Sequence, residues 1–289
     1  MDILLINQSI FSGDDMENRT DLALESYENK EKTQLDGVSI KEEGNVTTVK
    51  VLNEKGAAAL GKPKGNYITL RVNSFVNDTD IFDGRLNSFA DVLRSVLPDN
   101  ISSVLVAGLG NKNITADALG PKTNNYVLST RHIIDELKKS SGFDGLFCVS
   151  SVETGVLGET GIETAEIIRG ITSQLKPSCV ITVDALAASS MDRLGTTVQF
   201  SDSGISPGSG VGNHRHEISE KTIGVPVVSI GIPTVVSTSV ISSEQDGGSY
   251  VTPREIDRIC EQGAKLIGMG INVCLHKGIS TEDLYALVG

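Results

Sequence analysis

The feature that most constrains this chain is an alternation running through its second half. Short apolar runs, SSVLVAGLGN (102–111), GLFCVSSVE (145–153), SCVITVDALAA (178–188) and VPVVSIGIPTVV (225–236), are separated by stretches with helical apolar spacing. Such runs, bounded by glycine, read as strands buried on both faces, and strands alternating with helices build a parallel sheet with right-handed crossovers. The expectation is an α/β fold: a mostly parallel sheet with helices on both faces. Helices are expected over 127–140, 160–175 and 252–275. Thr160 with Glu163 caps the second; Thr252 with Glu255 caps the third, where Pro253 fits the first turn. Aromatic residues make up 4% of the chain and tryptophan is absent, so Val, Ile, Leu, Ala and Gly must fill the core.

The first half is less regular. VTTVKVLN (46–53) and NYITLRV (66–72) read as strands, NEKGAAALGKPKG (53–65) as a short helix and turn, and LNSFADVLRSVL (86–97) as an amphipathic helix that Pro98 ends. Nothing in residues 1–45 demands a core position. Residues 189–224, dense in glycine and serine, read as a long insertion, and loops of that length in a compact domain are usually functional or mobile.

A net charge of −12 disfavours direct binding to nucleic acid, because phosphate contacts need lysine and arginine. Cys148, Cys179, Cys260 and Cys274 form no C-x-x-C pair and fall in apolar strand or helix patterns, which reads as reduced core residues in a cytoplasmic protein. The opening MDILLINQSIF lacks the positive region of a signal peptide, and no run has the length of a membrane span.

Ligands of open parallel sheets bind beyond the carboxyl ends of the strands. The residues that follow each run are therefore the candidates. The first run leads to NKNITADALGPK with Asp117, the second carries Glu153, and the third continues through Asp184 into ALAA. Singly, Asp117 reads as a helix cap or Asx turn, and Asp184 as a strand end satisfied by backbone N–H groups. Together they read differently, because a carboxylate interrupting an apolar run is costly unless it is paired, solvated or used. Two close carboxyls share one proton, which equips a site to activate water against a peptide carbonyl. GLGN lacks the dinucleotide fingerprint, and no Walker loop or serine-hydrolase elbow is present. His214 and His216 read either as metal ligands or as a solvated loop.

RTDLALESYE (19–28), GLGNKNITADALGPK (108–122), ETGIETAEIIRGI (159–171), VDALAA (183–188) and GVGNHRHEIS (210–219) together resemble the germination protease family of spore-forming bacteria. The resemblance spans roughly residues 18–275. It implies a fold similar to the hydrogenase maturation peptidases, of phosphorylase-hydrolase-like type. It implies an endopeptidase made as a zymogen that removes its own propeptide, needs no cofactor or metal, and resides in the cytoplasm of the forespore and spore core. The implied substrates are small acid-soluble spore proteins that coat DNA, and the implied assembly is a homo-tetramer. Neither nucleic acid nor membrane is an expected direct partner. The family's proposed catalytic aspartates fall on Asp117 and Asp184. Its substrate site reads Thr-Glu-Ile/Phe-Ala-Ser-Glu, cut after the first acid, and Thr20-Asp21-Leu22-Ala23-Leu24-Glu25 follows that pattern. Self-cleavage is accordingly expected between Asp21 and Leu22, with Thr20, Ala23 and Glu25 as recognition positions on an extended segment. Residues 1–21 would then be the propeptide and 22–289 a single peptidase domain carrying the 189–224 insertion. Family members run on beyond the position of Gly289, so a shortened C-terminal segment is expected to affect assembly rather than the aspartates.

The backbone of the turn at Gly108, Gly110 and Asn111 is the sequence's candidate for stabilising an oxyanion. Two alternatives stay open at this point: a metal-dependent maturation peptidase on the same fold, with a histidine as third ligand, and a non-enzymatic binding module.

Overall fold

Each apolar run of the second half is a strand whose alternate side chains feed two cores. In the strand at 103–109, Val104 and Val106 enter one core while Leu105, Ala107 and Leu109 enter the other. The computed structural model describes residues 20–30, 35–77, 80–134, 145–212, 215–238 and 249–288. Its elements in chain order are α1 (Ala23–Glu28), β1 (Val38–Glu43), β2 (Val46–Val51), α2 (Glu54–Leu60), β3 (Gly65–Arg71), α3 (Arg85–Val96), β4 (Ser103–Leu109), α4 (Leu119–Asn124) and β5 (Cys148–Gly155). There follow α5 (Leu157–Thr160), α6 (Thr164–Leu175), β6 (Cys179–Ala188), β7 (Thr197–Ser201), α7 (Glu220–Ile223), β8 (Val227–Ser237), β9 (Tyr250–Val251), α8 (Ile256–Leu275) and α9 (Thr281–Val288).

The strands form one sheet in the order β1-β2-β3-β7-β8-β6-β4-β5, with β9 also on β8. The parallel sheet anticipated from the alternation is the block β5-β4-β6-β8. An antiparallel block β1-β2-β3-β7 joins it through β8, so β8 is parallel to one neighbour and antiparallel to the other. Helices cover both faces. Residues of α3 and α8 share the larger core with Phe75, Phe200 and Ile181, and α6 and α7 share the second core with Leu105 and Val180. On the antiparallel block, α1 and α2 cover Val49, Val51 and Tyr67.

Four expectations change in the structure. The stretch 189–224 is not only a loop. Its Thr-Val-Gln-Phe-Ser is β7, buried on both faces, and it links the two blocks. Residues before 45 do enter the core: Leu22, Ala23 and Leu24 are buried, and Ala23–Glu28 is helical rather than extended. Ala23 and Leu24 pack on the antiparallel block and Leu22 on the ends of β6 and β8, which the sequence pattern did not reveal. Neither capping box forms at the expected place. Gly161, at φ +69°, ends α5, where the Thr160 hydroxyl accepts from Ile162 N–H, so α6 starts later with Glu163 at its cap. A turn closed by Ile256 N–H on Pro253 O likewise moves the start of α8 to Ile256. The helix expected over 127–140 lies largely outside the described residues. No described helix is long and apolar enough to cross a membrane. Cys179, Cys260 and Cys274 are buried, Cys148 is half-buried, and all four are free thiols.

Phe200 is fully buried on β7, edge-to-face with Phe89 of α3 at a centroid distance of 4.8 Å. Phe200→Ala removes that contact and opens a cavity at the join between the blocks. It should destabilise the fold by about 3–5 kcal/mol, measured as a lower midpoint in urea unfolding.

Candidate active site

The register of the parallel block explains why a cavity opens here. The pairing of β4 with β6 stops at Gly108 and Val183, whereas β6 and β8 stay paired to Ala188 and Val236. From Asp184 onward, β6 therefore has a strand neighbour on one side only among the described residues. The space beyond the end of β4 is a cavity of about 380 Å³ lined by Asp21, Gly110, Asn111, Asp117, Asp184 and Thr234, with Ile114, Val156, Leu157, Val211 and Val235 as apolar wall. It lies beyond the carboxyl ends of the parallel strands, as an open α/β sheet leads one to expect.

Asp117 ends a single 3₁₀ turn, Thr115–Asp117, that follows β4. Its Oδ2 accepts from Asn111 N–H at 2.7 Å. Gly110 makes this possible. Its φ is +106°, and a Cβ there would collide with the Asp117 carbonyl oxygen. Of the turn residues singled out from the sequence, Gly110 and Asn111 thus seat Asp117, with the Asn111 N–H engaged by its carboxylate, and Gly108 is part of the β4 ladder. Burial pushes the Asp117 carboxyl above the ordinary carboxylate range, and the Glu159 charge adds to this, while the Asn111 N–H works the other way.

Asp184 sits within β6, 5% exposed, its Oδ1 accepting from Ala185 N–H at 2.9 Å. Burial raises its carboxyl well above the usual range, and the nearby charges of Asp117 and then Asp21 raise it further. Burial and the two neighbouring carboxyls all favour the protonated form of this group.

Asp21 is the third carboxyl on this cavity. Its N–H donates to Ala187 O at 2.9 Å, and its Oδ2 accepts from Ala187 N–H at 2.9 Å, so residues 20 and 21 line the free edge of β6. Ser209 Oγ donates to Asp21 Oδ1 at 2.8 Å. Gly210 lets the carboxylate come this close, since a Cβ would strike Asp21 Oδ2. The rest of the recognition stretch is held as tightly. Leu22 packs on Leu186, Ala188, Leu194 and Val236. Glu25 is 2% exposed; its Oε2 accepts from Ser189 N–H at 2.7 Å and from the Thr20 hydroxyl. Lys62 Nζ donates to Thr20 O at 3.0 Å; burial lowers its ammonium pKa, and the charges of Asp21 and Glu25 oppose that.

The structure therefore gathers Asp117, Asp184 and Asp21 around one space, with Thr20 to Glu25 docked alongside. Glu153 is exposed and does not line the cavity, His216 is exposed, and His214 lies outside the described residues. Among the described residues, no three His, Cys, Asp or Glu side chains gather as a metal site. Lys62, Ser209 and Gly210 were not singled out from the sequence, because each acts on a segment distant in the chain.

A model of the germination protease family matches residues 15–247. The chain belongs to that family. It is 38% identical to the germination protease of Caldanaerobacter subterraneus subsp. tengcongensis over 93% of this chain and 98% of that protein. It is 45% identical to the germination protease of Priestia megaterium over 92% of this chain and 76% of that protein. Membership makes the chain a peptidase. Among solved structures, a hydrogenase maturation protease, HycI, from Thermococcus kodakarensis aligns at TM-score 0.36 and 19% identity, covering 63% of this chain and 99% of that one.

The raised Asp184 carboxyl has a consequence for stability. The folded chain holds this proton more tightly than the unfolded chain, so stability is highest below the ordinary carboxylate range and falls as pH rises from there toward the raised value. Asp184→Asn removes that loss. It should melt higher than the parent at pH 7 by on the order of 1 kcal/mol or more, roughly 2–4 °C or above for a domain of this size. The gain should shrink toward zero near pH 3, and calorimetry across that range measures it.

Proposed function

We propose that this protein is a self-processing endopeptidase whose Asp117 and Asp184 share one proton and cut the bond between Asp21 and Leu22. The observation that carries the reading is the presence of both raised carboxyls and Asp21 on a single cavity. Residues 1–21 are the propeptide in this reading, and residues 22–289 are the peptidase domain.

The environments of the two carboxyls divide the work. Asp184 is the more deeply buried and faces two negative charges, so it carries the proton. Asp117 is stabilised as a carboxylate by the Asn111 N–H, so it takes the proton of the attacking water. Water adds to the Asp21 carbonyl carbon, the C–N bond breaks, and the Leu22 nitrogen leaves with the proton from Asp184. The pair ends with one proton, now on Asp117.

The acid before the cut is read by Ser209 Oγ and Ala187 N–H, with Gly210 leaving room for a carboxylate. The same site would take an acid followed by an apolar residue and alanine in other chains. With the family's name, this supports small acid-soluble DNA-binding spore proteins as substrates, cut in the spore core during germination. The tetramer and the cytoplasmic location rest on the family resemblance, and light scattering should give four times the chain mass.

Asp117→Asn and Asp184→Asn should each slow loss of residues 1–21 by at least about 10²-fold, read by intact mass spectrometry, while chelator leaves the parent unaffected. Parent-like cleavage in either variant rejects a shared pair.

A further inference from the structure

Gln199 is a buried polar residue in the middle of β7 that the reading above leaves unused. It is 7% exposed, and both atoms of its amide are engaged by the N-terminal segment. Its Nε2 donates to Asp21 O at 2.9 Å, and its Oε1 accepts from Ala23 N–H at 2.8 Å. The orientation of this amide is fixed by its partners, since a carbonyl only accepts and a backbone N–H only donates. One side chain therefore grips the chain on both sides of the Asp21–Leu22 bond, and its N–H lies on the carbonyl oxygen of that bond.

We propose that Gln199 is a catalytic residue, the donor that stabilises the oxyanion when the Asp21–Leu22 bond is cut. This rests on the proposed site of self-cleavage. As water's oxygen bonds to the Asp21 carbonyl carbon, the C=O electron pair moves to the Asp21 oxygen, where the Gln199 N–H already sits. When the pair returns, the C–N bond breaks, the Leu22 nitrogen takes the Asp184 proton, and the hydroxyl from water stays on the Asp21 carbon as a carboxyl. A preset donor on a buried side chain needs no rearrangement at that moment. The grip on Ala23 N–H fixes where the leaving nitrogen sits relative to the carbonyl, which is a positioning effect. Two features on the page favour this over simple anchoring. Anchoring is already supplied by Leu22 in its apolar socket and by the Ala187, Ser189 and Lys62 bonds. An apolar side chain would also suffice for packing at a buried strand position, whereas the amide points its donor at one specific oxygen.

Gln199→Glu keeps an acceptor for Ala23 N–H and removes the donor to Asp21 O. In the full chain it should slow cleavage at 21–22 by about 10²–10³-fold, while amide hydrogen exchange shows Leu22–Glu28 as protected as in the parent. Lowering the pH to about 5 protonates part of the introduced carboxyl and restores an O–H donor, so the ratio of variant to parent rate should rise. Gln199→Met, of similar length without donor or acceptor, should be as slow as Gln199→Glu and should not recover at low pH. Cleavage by Gln199→Met within about threefold of the parent overturns the proposal. So does a slow Gln199→Glu whose residues 22–28 have lost protection, since that marks an anchor alone. Parent-like cleavage in Asp117→Asn and Asp184→Asn sinks the aspartate reading separately. A parent chain that never cuts this bond overturns both.

Discussion

Asp184 stands inside a strand, one residue beyond Val183, which packs in the main core, and opposite Gly231 of β8. In a sheet covered on both faces, a carboxylate at that position would have only apolar neighbours and no water. It is tolerable here because β4 has just ended, and the gap it leaves brings in the Ala185 N–H and an open cavity. A difference in strand length of a few residues thus decides where polar chemistry can exist in an otherwise apolar layer. Asp117 reaches the same gap from the turn after β4, held by a glycine conformation and one backbone N–H. The raised proton affinity of both groups is the electrostatic expression of that geometry.

The same unequal ending leaves the edge of β6 with unpaired backbone groups, and such an edge needs covering. The chain covers it with its own residues 20 and 21. β7, which lies across β8 from β6, contributes a second surface. Val198 and Phe200 face the large core, and Gln199 and Ser201 face the other side, toward the docked segment. The N-terminal stretch is thus held by sheet-edge bonds, by an apolar socket for Leu22 and by a buried glutamate, all within nine residues. Many short-range contacts of moderate strength fix one geometry more firmly than a single strong one.

Much of the parallel block was legible. Its strands are long apolar runs, and the end of each run named Asp117 and Asp184. The antiparallel block was harder. β7 is only Thr-Val-Gln-Phe-Ser, set among glycines and serines, and three of its five residues are polar yet buried, which hides the period of two. Read as a strand, it would have marked Gln199 as an inward amide needing partners. Leu22, Ala23 and Leu24 were invisible as core because their neighbours are charged and their partners are distant in the chain: Leu22 sits among residues 186–236, and Ala23 and Leu24 pack on Val49, Val51 and Tyr67. Caps failed for a local reason: Gly161 and the Pro253 turn shift the helix starts by a few residues, which propensity alone does not register. Ser209, Gly210 and Lys62 carry no local signature, since each matters only for what lies across from it.

β3 has no sheet partner on its outer side until β7 exists, and β7 comes 126 positions after the end of β3 (71 to 197). The hairpin of β1 and β2 with β3 is therefore an orphan on the ribosome until most of the chain has emerged. The socket for Leu22 and the Ala187 edge are likewise synthesised late. Residues 20–25 are made before the groups that seat them, so assembly of the cavity and its occupation by this segment become one event.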